Sequence, residues 1–311
     1  MARVLQAVQD LGYQPNAVAR SLRMSETRML GMIVPDNSNP YFAEVARSIE
    51  DAAFDLGYSV ILCNSDEDPA KEQAYLNLLI EKRVDGIAFV ATGASDNTLE
   101  PARARGLPVV VVDRELEGSP WSSVLVRNSR GAREAVDHLA RLGHRRIGCI
   151  SGPRNLGPSS ERVRGYREAL RRNGLPVEPK SIVEGDFHAE GGYRTMNELL
   201  EREPKLTAVF ACNDMMAVGA LRAMREHGRS VPGDIALVGF DDIALASYTQ
   251  PALTTIAQPY QELGRRVAQL LAKAERANAT EQERVRLEPK LVVRESCGAT
   301  RGASRCASAG L

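Results

Sequence analysis

Three pairs of polar residues stand where apolar runs stop: Asp113 and Arg114 close VVVVDR, Asn213 and Asp214 close VFACND, and Asp241 and Asp242 close LVGFDD. A carboxylate accepts hydrogen bonds, a guanidinium donates in a fixed fork and a carboxamide does both, so the set could satisfy a small ligand rich in hydroxyl groups. Taken singly, Asp214 or Asp242 reads more readily as a helix N-cap, because a carboxylate at a strand-to-helix junction accepts from the first helical amides. Recurrence at three strand ends points instead to a shared cleft. Paired carboxylates could also serve as general acid and base, which keeps an enzyme among the alternatives.

The elements that must position these residues are legible as an alternation. MLGMIVP precedes NPYFAEVARSIEDAAFDLG, where Phe42, Val45, Ala46, Ile49, Ala53 and Leu56 recur at helical spacing and Gly57 closes the helix. YSVILCN leads to a helix near 69–82, DGIAFVA to one near 97–105, and LPVVVVD follows. After SVLV come a helix in SRGAREAVDHLARLG, a strand in HRRIGCISG, a helix in SSERVRGYREALRRNG with Ser160 as its expected cap, and strands in TAVFACND and DIALVGFDD. Uninterrupted Val and Ile runs separated by helices specify parallel strands buried on both faces. The expected fold is α/β with two doubly wound parallel-sheet lobes, and a ligand belongs at the carboxyl ends of their strands.

The chain has 311 residues with 40 basic and 40 acidic side chains, so no global field draws it to nucleic acid or a membrane surface. Its longest apolar runs fall far short of the roughly 20 residues of a membrane helix, and no signal peptide opens it, giving a cytoplasmic expectation. Five scattered cysteines without C-x-x-C read as reduced thiols, and four isolated histidines offer no metal site. The chain contains no G-x-G-x-x-G after its first strand, no P-loop, no G-x-S-x-G and no H-E-x-x-H. No cofactor, metal or catalytic residue is expected.

The segments LGYQPNAVARSLR, LGMIVPDNSNPYFAEVARSIEDAA, KRVDGIAFV, HLARLGHRRIGCISG, ERVRGYREAL, FACNDMMAVGAL and LVGFDDIALASYTQPALTTIAQP together resemble the lactose-repressor (LacI/GalR) family of bacterial transcription regulators, over about residues 2–295. The resemblance implies a core similar to periplasmic sugar-binding proteins of type I fold, a homodimer, and operator DNA and a small sugar effector as partners. Its cleft would use Asn39, Tyr41, Phe42, Asp113, Arg114, Arg162, Asn213, Asp241 and Gln258. An aromatic face suits the C–H surface of a sugar ring, and Asp113 beside Arg114 suits vicinal hydroxyls, so the effector expected is a pentose such as ribose, or a derivative. Tyr41 and Phe42 could instead be core contacts, and Arg162 a solvated arginine on an arginine-rich helix. A transport-type sugar binder and a sugar-processing enzyme are the rival functions.

The lobe boundaries expected are a first lobe of residues 29–127 plus 259–284 and a second of 128–258 plus 285–296, and the last fifteen residues, CGATRGASRCASAGL, are small, polar and aperiodic, so a disordered tail is expected at 297–311. In the family PNAVARSLR is similar to a hinge helix, so Asn16, Arg20, Ser21, Leu22 and Arg23 would touch DNA, Leu22 as a minor-groove wedge and the arginines on phosphates. The family's headpiece carries two earlier helices, of which the second reads base edges. This sequence starts inside the third, whose apolar stripe is Val4, Leu5, Val8 and Leu11. The expectation is a truncated headpiece over residues 1–28, arising from a start placed downstream of the true one. With Arg3, Arg20, Arg23 and Arg28 against Asp10 and Glu26, that segment carries a net charge of only plus two and would bind DNA weakly.

Overall fold

The computed structural model describes residues 26–90, 96–114, 120–277 and 282–299. Five strands open the fold: β1 (Met29–Val34), β2 (Ser59–Asn64), β3 (Gly86–Phe89), β4 (Val109–Val112) and β5 (Ser122–Val126). Helices α1 (Pro40–Asp55), α2 (Pro69–Glu81) and the single turn α3 (Glu100–Arg103) connect the first four. A second series follows: α4 (Asn128–Arg141), β6 (Ile147–Ser151), α5 (Gly157–Arg172), β7 (Ile182–Glu184), α6 (Ala189–Arg202), β8 (Ala208–Ala211), α7 (Asp214–Glu226) and β9 (Ala236–Val238). The chain then runs through β10 (Thr255–Ala257), α8 (Tyr260–Ala277), β11 (Arg284–Leu287) and β12 (Lys290–Val292).

Two parallel sheets result, in the orders β11-β5-β4-β3-β1-β2 and β7-β6-β8-β9, with β10 and β12 forming a short antiparallel ribbon. The α/β architecture expected from the sequence is therefore present. One apolar cluster under the first sheet joins Met32 and Val110 to Val45 and Ile49 of α1 and Leu263 and Val267 of α8. A cluster holding Ile33 and Phe89 packs on Leu76 and Leu79 of α2. A third fills the second lobe around Phe210, Tyr166 and Phe240. Full burial of side chains of this size contributes about 1.5–3 kcal/mol each.

Local chemistry fixes the helix starts. The Asn39 side chain accepts from the Tyr41 amide at 3.1 Å and Pro40 occupies the first helical position, while Asp68 accepts from Ala70 at 2.8 Å ahead of Pro69. Glycine is required where α4 meets α5: a Cβ on Gly165 would lie 2.1 Å from the Ser129 carbonyl oxygen. A Cβ on Gly264 would likewise lie 2.0 Å from the Ser48 carbonyl oxygen, where α8 crosses α1.

Three expectations need correction. Helix α5 begins at Gly157 with Leu156 in the cap position, and Ser160 sits inside it, its hydroxyl donating to the Gly157 carbonyl. The final crossing to the second lobe falls after Leu287, since β11 pairs with β5 in the first sheet and buries Leu287 in that core. Period-two burial of Val285 and Leu287 against the first cluster, rather than a break at residue 285, sets that boundary. The tail does not begin at residue 297, because Cys297 is buried in the second core and Ala299 packs beside it. Residues 300–311 and the whole proposed DNA-contacting segment, Asn16, Arg20, Ser21, Leu22 and Arg23 included, lie outside the described residues.

The chain thus passes between the lobes three times, and the passages are bonded side by side. The Arg127 amide donates to the Leu287 carbonyl at 2.9 Å, and Ala257 pairs with Lys290 across the ribbon.

Candidate functional site

Strand ends and helix starts of both lobes converge on one cleft of about 470 Å³ of empty space, its mouth included. Asp36, Asn39, Tyr41 and Phe42 come from the β1 end and the α1 start, Glu67 follows β2, and Asp113 and Arg114 follow β4. From the second lobe come Pro158 and Arg162 of α5, Asp186, Phe187 and His188 after β7, Asn213 after β8 and Asp241 after β9. This is the position in which open α/β sheets hold ligands, outside the carboxyl ends of the strands.

Arg162 organises the floor. It is 3% exposed, and its Nε donates to Asn128 Oδ1 at 2.8 Å and its Nη1 to the Cys212 carbonyl at 2.5 Å. Its Nη2 stands 3.5 Å from Asp241 Oδ1, and its guanidinium lies 3.9 Å from the Phe240 ring centroid. It is therefore a buried structural and cleft residue, not the solvated arginine that the composition of α5 allowed. A sequence signal for this exists: residues 162, 166, 169 and 170 share the buried face of the helix.

Asp241 is fixed from behind. Gln258 Nε2 donates to its Oδ1 at 2.6 Å and the Tyr260 hydroxyl donates to its carbonyl at 2.9 Å. Gln258 thus stands behind Asp241 rather than on the cleft wall. Burial pushes the Asp241 carboxyl up to about 7; Arg162 and Gln258 oppose that rise, while the facing Asp113 adds to it.

On the first-lobe wall the Tyr41 hydroxyl donates to Asp113 Oδ1 at 2.6 Å, and Arg114 lies 3.9 Å from both Asp113 and Glu67. Burial, then the charges of Asp113 and Asp241, hold the Tyr41 phenol well above its ordinary range, so it stays a neutral donor. Tyr41 and Phe42 meet edge to face at 4.9 Å and belong to the first core while also lining the cleft.

Asn213 caps α7 by accepting from Met216 and donates to the Phe187 carbonyl at 2.9 Å. The cap role considered for Asp214 belongs to Asn213. Asp214 is fully buried and ties α7 to β10 instead, accepting from Thr255 Oγ1 at 2.6 Å and from the Ile243 amide at 3.0 Å. Asp242 is no cap either: it pairs with Arg294 at 2.7 Å.

Backbone strain collects here. Among the described residues, Glu67, Asp113, Phe187 and Asp241 all line the cleft with positive φ, at 57°, 66°, 67° and 115°. Such conformations cost energy outside glycine and persist only where the surroundings hold them, which is typical of ligand-binding positions.

Sequence reasoning missed Asp36, Glu67, Pro158, Asp186, Phe187 and His188. Most follow β1, β2 or β7, and the position after every parallel strand was the available signal. Strand β7 is only three residues long and went unread.

Two sheet lobes closing on a polar cleft with aromatic walls define a bilobed ligand-sensing protein. Residues 136–297 match the periplasmic binding protein-like domain. The HTH-type transcriptional regulator DegA of Bacillus subtilis is 36% identical over 298 residues, covering 94% of this chain and 88% of its own. The chain is also similar to the transcriptional regulator CelR in complex with cellobiose, at a TM-score of 0.80 and 33% identity over 94% of this chain and 89% of that one. A LacI-family regulator from Enterococcus faecium with bound ribose superimposes at a TM-score of 0.78 with 32% identity, over 86% of this chain and 98% of that one. The chain belongs to the LacI family of transcriptional regulators.

Proposed function

We propose that this regulator is a repressor whose grip on operator DNA is set by a small sugar, a pentose such as ribose or a derivative, held between its lobes. The observation that carries this is the meeting of Tyr41, Asp113 and Arg114 from one lobe with Arg162 and Asp241 from the other on the wall of one cleft. Carboxylates accept from sugar hydroxyls, Arg114 and Asn39 donate, and Phe42, Tyr41 and Phe187 offer apolar faces to C–H groups. A ligand touching both walls binds the closed arrangement best and so shifts the population toward it. Asn16, Arg20, Ser21, Leu22 and Arg23 are assigned the DNA end of that coupling. The relatives with bound cellobiose and ribose support a sugar.

The same reading makes the protein a cytoplasmic homodimer without catalytic turnover. Among the described residues no helix is long and apolar enough to cross a membrane. Exposed Phe54, Leu56, Leu62 and Leu78 lie on α1, the loop after it, edge strand β2 and α2, apolar side chains suited to burial against a second copy.

Operator binding by the protein, measured with and without a pentose panel, tests site and coupling together. A shift in operator affinity with one pentose is the expected result. No heat of binding with any monosaccharide would overturn the reading.

A further inference from the structure

We propose that the cleft selects an uncharged or cationic polyol and rejects phosphorylated and carboxylated sugars. The inference rests on the sugar reading and narrows it. Five carboxylates line the cleft, those of Asp36, Glu67, Asp113, Asp186 and Asp241, against the two guanidinium groups of Arg114 and Arg162. The formal balance is minus three, or minus two when Asp241 carries a proton.

Both guanidinium groups stand beside carboxylates of the cleft wall. All three nitrogens of Arg162 face protein acceptors, at Asn128, the Cys212 carbonyl and Asp241. Arg114 lies between Asp113 and Glu67. Helix starts are the other natural anion sites. Those of α1 and α7 already have their first amides taken by Asn39 and Asn213. Helix α5 starts without a side-chain cap, but Pro158 removes one of its first-turn donors.

Carboxylates outnumber guanidinium groups in the lining by five to two. Asp36 lines the cleft, and its Oδ2 is buried without a hydrogen-bond partner. A buried acceptor left unmatched is costly, so the preferred ligand brings donors: hydroxyl or ammonium groups. A phosphate or carboxylate brings only acceptors and negative charge into an already negative space.

The test is calorimetric titration of the full chain with the pentose that binds, its phosphate ester, its aldonic acid and its amino analogue. The ester and the acid are expected to bind at least about a hundredfold more weakly than the parent, a gap of about 2.8 kcal/mol, with the amino analogue within about tenfold of it or tighter. The double variant Asp36→Asn, Glu67→Gln should narrow the gap by about tenfold, and added salt should narrow it in the unaltered chain. Equal binding of the ester or acid, a gap unmoved in both the double variant and salt, or rejection of the amino analogue overturns the proposal. Should no sugar of any charge bind, the failure lies with the sugar reading itself, and this inference falls with it.

Discussion

Replacing Asp241 by Asn should change how stability depends on pH. Asp241 has an ordinary carboxyl value of 3.8 when unfolded and one raised to about 7 in the fold. Because the folded value is the higher, the native state holds a proton that the unfolded chain has released between those limits. Stability from this group is therefore intact in acid and is lost as pH rises toward 7. At about 1.36 kcal/mol per unit, the penalty is about 2.3 kcal/mol at pH ~5.5 and about 4.2 at pH ~7.5. The unaltered chain should lose about 2 kcal/mol across that interval that Asp241→Asn does not lose. Subtracting the two profiles removes groups common to both, including His138 and His144, whose values burial lowers. Urea unfolding of both proteins at the two pH values reads the difference. Parallel profiles would refute the assignment of a carboxyl raised by burial to Asp241.

Three further outcomes are expected. Phe187→Ala removes an aromatic wall and should weaken sugar binding by about fivefold, in keeping with the roughly 1 kcal/mol of an aromatic contact, and calorimetry showing undiminished affinity would count against its role. Gly165→Ala forces a methyl group against the Ser129 carbonyl and should cost about 1–3 kcal/mol in urea unfolding, with a neutral result showing that α4 and α5 separate easily. Leu62→Lys puts a charge on the exposed edge strand β2 and should shift the chain toward monomer in sedimentation, whereas an unchanged dimer would move the interface elsewhere.

Uninterrupted apolar sequence made β1, β4 and β8 readable, because strands buried on both faces need it. Strands β7, β10 and β12 are three residues each, too short to show a period, and their pairing is decided by distant partners such as Val292 on Thr255. The cleft was half legible for a related reason. Asp113, Asn213 and Asp241 stand after strong strands, whereas Phe187 follows a weak one and Glu67 sits in a charged loop. Gln258 shows a different limit, since its residue type suited a ligand contact while its place behind Asp241 depends on the fold of a chain segment 17 residues away.

The three bonded passages between lobes limit how the molecule can move. Pulling the lobes apart or sliding one along the other would stretch covalent backbone in three places at once. Bending about the line of passages needs only small dihedral changes at a few residues near 127, 258 and 288, as in hinge closure. The linkage is in effect a strap hinge, so a single proteolytic nick in one strap would leave the other two to hold the halves in register.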